Sequence, residues 1–224
     1  MNEYMITLED VKKNPQVLEF IQESDRALDM LGYTEHGLRH SELVSIRAQS
    51  VAKDVGLSKR DQELSAIAGF CHDMGNFMGR SQHHYWGGLL FHQIFGEQMD
   101  PHEVTMIAQA IANHDKEEMK FSNLITATLV LADKSDVHRS RVRKQPLVET
   151  LKDIHDRVNY GVLESGLHIE QEAKRVVLTL SIDTDFVPIL EYFEIFIDRM
   201  SYCRKAAEYL DHHFGIVAND FKIL

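Results

Sequence analysis

Apolar positions recur at helical spacing through the chain to about residue 135, and the pattern changes after Pro146. Val44, Ala48, Val51 and Val55 predict a helix that opens at His40 and turns one stripe toward a core. Asp61-Gln62-Glu63 give a second helix an acidic first turn, and Leu64, Ile67, Ala68 and Cys71 form its i, i+3, i+4, i+7 stripe. His72 and Asp73 close that helix, with Gly75 read as its stop. Gly79 to Gln82 reads as a loop, and His83 to Gly96 as a third helix with Leu89, Leu90, Ile94 and Phe95 apolar. Asp100 and Pro101 suit the N-cap and first position of a fourth, whose stripe is Val104, Ile107, Ala108 and Ile111, with His114 three residues further along it. Ser122 is the candidate cap of a fifth, in which Thr126, Leu129, Val130 and Asp133 share a face, so that the carboxylate points inward.

Beyond Pro146, Val158 to Ile169 and Arg175 to Ile182 are richer in β-branched residues. Val176, Leu178, Leu180 and Ile182 alternate at period two, which predicts a hairpin or strand pair. Val187 to Leu210 returns to helical spacing, with Ile189, Phe193, Phe196, Ile197 and Met200 on a broad apolar face. The expectation is a mainly α protein: a helical bundle over 20–145 and a smaller α+β appendage over 146–224, which covers the bundle or forms a homodimer interface. The helical signal is strong enough to suggest an all-α chain, with the strand pair as its exception.

Composition narrows the class. At 224 residues, 44% hydrophobic and 26% charged, the chain is long enough to bury a core without covalent staples. Cys71 and Cys203 form neither a CxxC pair nor a disulfide framework, which suits a reducing compartment. With no secretory pattern at Met1 to Asp10 and no run of roughly 18 apolar residues, the expected location is the cytoplasm and no membrane partner is expected. A formal charge of −11 opposes long nucleic acid as the main partner. It does not oppose a small phosphorylated ligand, and a basic island, His138 to Lys144, lies just beyond the fifth helix; the plain alternative for it is a solvated helix end.

The candidate chemistry starts at Cys71-His72-Asp73-Met74-Gly75-Asn76, where imidazole and carboxylate sit side by side at the end of an apolar helix. His40, His83, His114 and Asp133 also stand at the ends of apolar segments, and a metal cage needs donors from several elements. A single histidine on an apolar face is ordinarily a hydrogen-bonded core residue; the series as a whole is what points to metal. Asp133 is the hardest to explain otherwise, because an ionised carboxylate in an apolar helix needs a cation or a basic partner such as Lys134 or Arg139. Cys71, on the buried stripe, reads as core filler. Imidazoles with two carboxylates suit iron, manganese, cobalt, nickel or zinc, one or two ions per chain.

In that order of residues the sequence resembles the HD superfamily of metal-dependent phosphohydrolases over about residues 20 to 140. Gly37-Leu38-Arg39-His40-Ser41 is similar to its first-histidine motif, and Cys71 to Gly75 to its HD doublet with the following glycine. His83-His84-Tyr85-Trp86-Gly87-Gly88 resembles the third-histidine segment, whose ligand lies four residues before a small pair, favouring His83 over His84. Ile111-Ala112-Asn113-His114 resembles the fourth, and Leu131-Ala132-Asp133 the closing alanine-aspartate motif. The resemblance implies an HD-domain helical bundle, a metal set of His40, His72, Asp73, His83, His114 and Asp133, and hydrolysis of a phosphate mono- or diester of a small molecule, a nucleotide or related metabolite. Asp73 and Asn76 are then the catalytic candidates and Lys134 and Arg139 the substrate contacts. Asn76 stands where many binuclear members carry lysine, and Asp115 where some have a second histidine. Two rivals share the ligand order: a di-iron oxygenase of the same superfamily, and a regulatory module that binds metal or nucleotide without turnover.

Overall fold

The computed structural model describes residues 5–116, 118–143 and 150–223. It divides into two units, Met1–Asp133 and Lys134–Leu224. Pro146, where the sequence pattern changes, lies outside the described residues, as does Lys144 at the end of the basic island.

The first unit is built from α1 (Leu8–Lys13), α2 (Pro15–Met30), α3 (Leu38–Asp54), α4 (Lys59–Cys71), α5 (His83–Phe95), α6 (Pro101–Asn113) and α7 (Leu124–Lys134). Helix α4 is its axis. From Leu64 to Asn76 every residue is buried, so beyond its first turn this helix has no solvent face and packs on all sides, which a helix at the centre of a bundle must do. It lies against α3 closely enough that a Cβ on Gly69 would come within 2.9 Å of the Ser45 backbone. Val44, Ala48, Leu64, Ile67, Ile107 and Ile111 join one continuous apolar core. Helix α6 starts as its sequence predicts, with the Asp100 carboxylate accepting from His102 N and Glu103 N and Pro101 in the first turn.

Three expectations are corrected here. The fifth helix starts at Leu124, and Asn123, not Ser122, holds its first turn by accepting from Thr126 N at 2.8 Å and from the Thr126 hydroxyl. Leu89 is apolar but exposed. Gly79 to Gln82, expected as a loop, contains a 3₁₀ turn, Arg80–Gln82, which follows another at Asn76–Met78. Helix α2, at the edge of the span legible in the sequence, fixes the first turn: Ser24 Oγ accepts from Phe77 N at 3.1 Å, and Phe20 stacks on Phe77 with centroids 5.1 Å apart.

The second unit holds α8 (Ile154–Gly161), β1 (Val162–Glu170), β2 (Arg175–Ile182), α9 (Ile189–Tyr209), β3 (His213–Ala218) and β4 (Phe221–Lys222). The predicted strand pair is β1 against β2, antiparallel, although Val158 to Gly161 are helical. The sheet order is β1-β2-β3-β4, with β2 and β3 parallel and joined through α9, and β3 and β4 antiparallel about the two left-handed residues Asn219 and Asp220. The chain is therefore mainly α, and the four-stranded sheet rules out an all-α description. Tyr192, Phe196, Met200 and Cys203 form the buried face of α9, whereas Ile197, expected on it, is exposed. No helix among the described residues is long and apolar enough to cross a membrane.

Candidate metal centre

Five helix ends of the first unit converge. His40 is the third residue of α3 and His83 the first of α5; His72 and His114 are the C-cap residues of α4 and α6; Asp133 is in the last turn of α7. The last carbonyls of a helix have no partner inside it. His72 and His114 answer this locally, donating Nδ1–H to the carbonyl three residues back, Gly69 at 2.8 Å and Ile111 at 2.7 Å. His83 does the same to Arg80 at 2.8 Å. Each bond caps a turn and fixes the tautomer that leaves Nε2 as a lone-pair donor aimed away from the helix.

The inward-facing donor atoms meet in two groups that share Asp73. On one side His40 Nε2 and His72 Nε2 lie 3.2 Å apart, Asp73 Oδ2 is 3.6 and 3.3 Å from them, and Asp133 Oδ1 is 3.3 and 3.7 Å from them. On the other, Asp73 Oδ1 lies 3.2 Å from His83 Nε2 and 3.8 Å from His114 Nε2, which are 3.2 Å from each other. Two donors about 2.1 Å from one ion, at angles of 90–109°, are about 3.0–3.4 Å apart, so the spacings of 3.2 and 3.3 Å are those of neighbouring ligands on a common ion, and those of 3.6 to 3.8 Å are wider. The six residues are buried, and His40-His72-Asp73, His72-His114-Asp133 and Asp73-His83-His114 could each hold a metal.

The donors demand a cation. His83 and His114 each spend Nδ1–H on a carbonyl, so two Nε2 lone pairs face each other at 3.2 Å and repel unless a proton or metal ion lies between them. Burial works against charge on His72, but the Asp73 and Asp133 carboxylates outweigh it and raise its pKa to about 10. Burial likewise opposes ionisation of Asp73, yet the neighbouring His72 above all, with His114 and His83, holds it well below the usual carboxylate range. Burial lowers His114 despite Asp73. The pair of buried carboxylates thus keeps a proton on His72 through the neutral range, and that stabilisation fades as pH rises toward about 10. A metal ion must displace this proton. Metal affinity is therefore expected to rise with pH above neutrality, about tenfold per unit for one released proton, in competition titrations against a chelator at pH 7, 8 and 9; a flat profile would contradict the assignment of that proton.

His84, the alternative to His83, is buried with its Nδ1 lacking a hydrogen-bond partner, and it belongs to none of the three clusters. Burial, then the neighbouring His114 and His83, depress its pKa to about 4. Asn76 is also buried, and its amide is committed internally: Nδ2 donates to the Asp73 carbonyl and to Asp73 Oδ1, both at 2.9 Å. It positions Asp73 rather than presenting itself to a ligand. Lys134 and Arg139 fall in the second unit, where Lys134 is buried and Arg139 lies over the Tyr160 ring, 5.2 Å from its centroid. One residue at the site, Arg80, escaped the sequence reading, and a second, Asp115, was noted there only for its place after the fourth histidine. Arg80 donates to Asn76 Oδ1 at 3.1 Å, and Asp115 lies 3.4 Å from Arg80 and 3.8 Å from His83 Nε2. The signal for Arg80 was its place three residues before His83, within one 3₁₀ turn.

Comparison with known proteins agrees with this geometry. A family model described as the HD domain matches residues 37–161, which contain all six convergent residues. The uncharacterized protein MJ1020 of Methanocaldococcus jannaschii is similar to this chain, 26% identical over 170 residues. The match covers 66% of this chain and 65% of that relative, somewhat under two thirds of its length.

Proposed function

The chain belongs to the HD-domain family, and from that membership we propose that it is a metal-dependent phosphohydrolase acting on a phosphate mono- or diester of a small molecule, a nucleotide or related metabolite. The observation that carries this reading is the sharing of Asp73 between two donor groups, one oxygen to each. His40, His72, Asp73 Oδ2 and Asp133 would hold one ion; Asp73 Oδ1, His83 and His114 would hold the other. Bound divalent ions supply a hydroxide near neutral pH and offset charge on the phosphoryl oxygens.

The chain's own residues set the conditions for that chemistry. Asn76 holds the Asp73 carboxylate in the orientation that divides its oxygens. The carbonyls of Gly69, Arg80 and Ile111 hold the rings with Nε2 inward, which spares the site reorganisation when a ligand arrives. Burial of the whole set excludes bulk water and strengthens each charge interaction. The completeness of the donor set speaks for turnover over a purely regulatory role.

The test is to load purified protein with manganese, cobalt, iron or zinc in turn and assay phosphomonoesters and cyclic and linear diesters, with oxygen uptake followed in the same samples. Metal-dependent release of phosphate or alcohol, lost in His40→Ala, is expected. The imidazole-rich donors suit iron as well; oxygen consumption by an iron-loaded protein that hydrolyses none of the esters would replace this reading with the oxygenase.

A further inference from the structure

Arg80 is the least neutralised arginine among the described ion pairs of the first unit. Arg60 meets Glu103 at 2.5 Å and Glu63 at 2.9 Å, and Arg39 meets Glu35 at 2.8 Å, the distances of charge-assisted hydrogen bonds. The Arg80 guanidinium is instead 3.4 Å from Asp115 and 3.9 Å from Asp73 Oδ1, and its closest acceptor is the neutral Asn76 Oδ1 at 3.1 Å. Its side chain is 28% exposed, so it stands between the buried centre and solvent.

The same guanidinium is tied to the metal donors. Its Nη1 lies 3.3 Å from His83 Nε2, and Asp73 Oδ1 is 3.9 Å away; these are two of the three atoms that would hold the second ion. A cation bound there would sit against a fixed positive charge that Asp115 neutralises only in part. Like charges so close are stable together when an anion lies between them. That anion needs one oxygen for the metal side and another for the arginine, and a guanidinium fork binds adjacent oxygens of a tetrahedral oxyanion best.

We infer that Arg80 is a substrate-contacting residue of this site, binding a non-bridging oxygen of the phosphoryl group on the His83 side, with Asn76 and Asp115 holding its guanidinium in place. The assignment rests on the phosphohydrolase reading for the identity of its ligand. It takes the substrate-binding part that the sequence alone gave to Lys134 and Arg139.

The experiment measures binding of inorganic phosphate to the manganese-loaded protein by titration calorimetry, together with manganese content and ester hydrolysis, in the wild type, Arg80→Gln and Arg80→Lys. Losing a charge-assisted contact is expected to weaken phosphate about ten- to a hundredfold in Arg80→Gln with manganese content unchanged, while Arg80→Lys, a point charge without the fork, recovers part of the loss. Wild-type phosphate affinity in Arg80→Gln, or a loss of manganese from it, overturns the assignment while leaving hydrolysis by the wild type intact as support for the proposed function. Weakened phosphate binding in a protein that hydrolyses no ester retains Arg80 as an oxyanion contact and counts against the hydrolase.

Discussion

Replacing Asp73 with alanine is expected to remove both ions and reduce ester hydrolysis to background, because this carboxylate supplies one oxygen to each donor group. Outer-shell changes at metal sites cost about ten- to a hundredfold in affinity, so loss of a shared ligand should exceed the upper figure. The helical fold should survive. Among the described residues the polar neighbours of the Asp73 carboxylate are His40, His72, His83, His114, Asn76 and Arg80, none of them part of the apolar core. Elemental analysis beside far-ultraviolet circular dichroism checks both halves of the expectation. His83→Ala gives the contrast, since it touches only one group and should leave one ion per chain. Wild-type metal content in Asp73→Ala would remove the shared carboxylate from the account, and two ions in His83→Ala would remove the division into two groups.

The second large effect is structural. A Cβ on Gly75 would lie 2.2 Å from the His83 carbonyl oxygen and 2.5 Å from Gly87 N, both backbone atoms that cannot turn aside. Gly75→Ala is therefore expected to push the start of α5 away from the end of α4, destabilising the protein by about 1–3 kcal/mol, as overpacking of a tight core does. The displacement falls on His83, so binding in its group should weaken more than binding in the His40 group. Denaturant midpoints with unchanged slope, and two-site metal titrations, read the two consequences separately. An unaltered midpoint would mean that the helix ends have slack the structure does not display.

Gly75 also illustrates what the sequence could convey. Read as a helix stop, it would need a left-handed backbone, but its φ is −88°. Its value is the absence of a side chain where two distant segments meet, and closeness between residues 75, 83 and 87 leaves no periodic trace. The metal donors were legible for the opposite reason. Each ends an apolar stripe, and the His72-Asp73 doublet announces itself because a buried histidine and carboxylate side by side are costly without a cation. Arg80 was lost among the polar residues of a short connection, where exposed and half-buried positions look alike. Strand β3 was missed because six residues, His213–Ala218, are too few for alternation to register, and their pairing partner, β2, lies some thirty residues earlier beyond a helix. Asn123 displaced Ser122 as the cap by a single residue, within the uncertainty of any helix boundary read from composition.

The carbonyl-tethered histidines have one further consequence, in terms of local opening. Helix ends fray first, since their last hydrogen bonds are the easiest to exchange for water. Here the terminal turns of α4 and α6 and the turn that opens α5 carry the very rings that would grip an ion. Without metal, facing lone pairs and buried charges at these ends make their opening easier than in the metal-bound protein. With metal, those frayed ends are latched across the interior, so that amide protons at the helix termini should become some of the slowest to exchange.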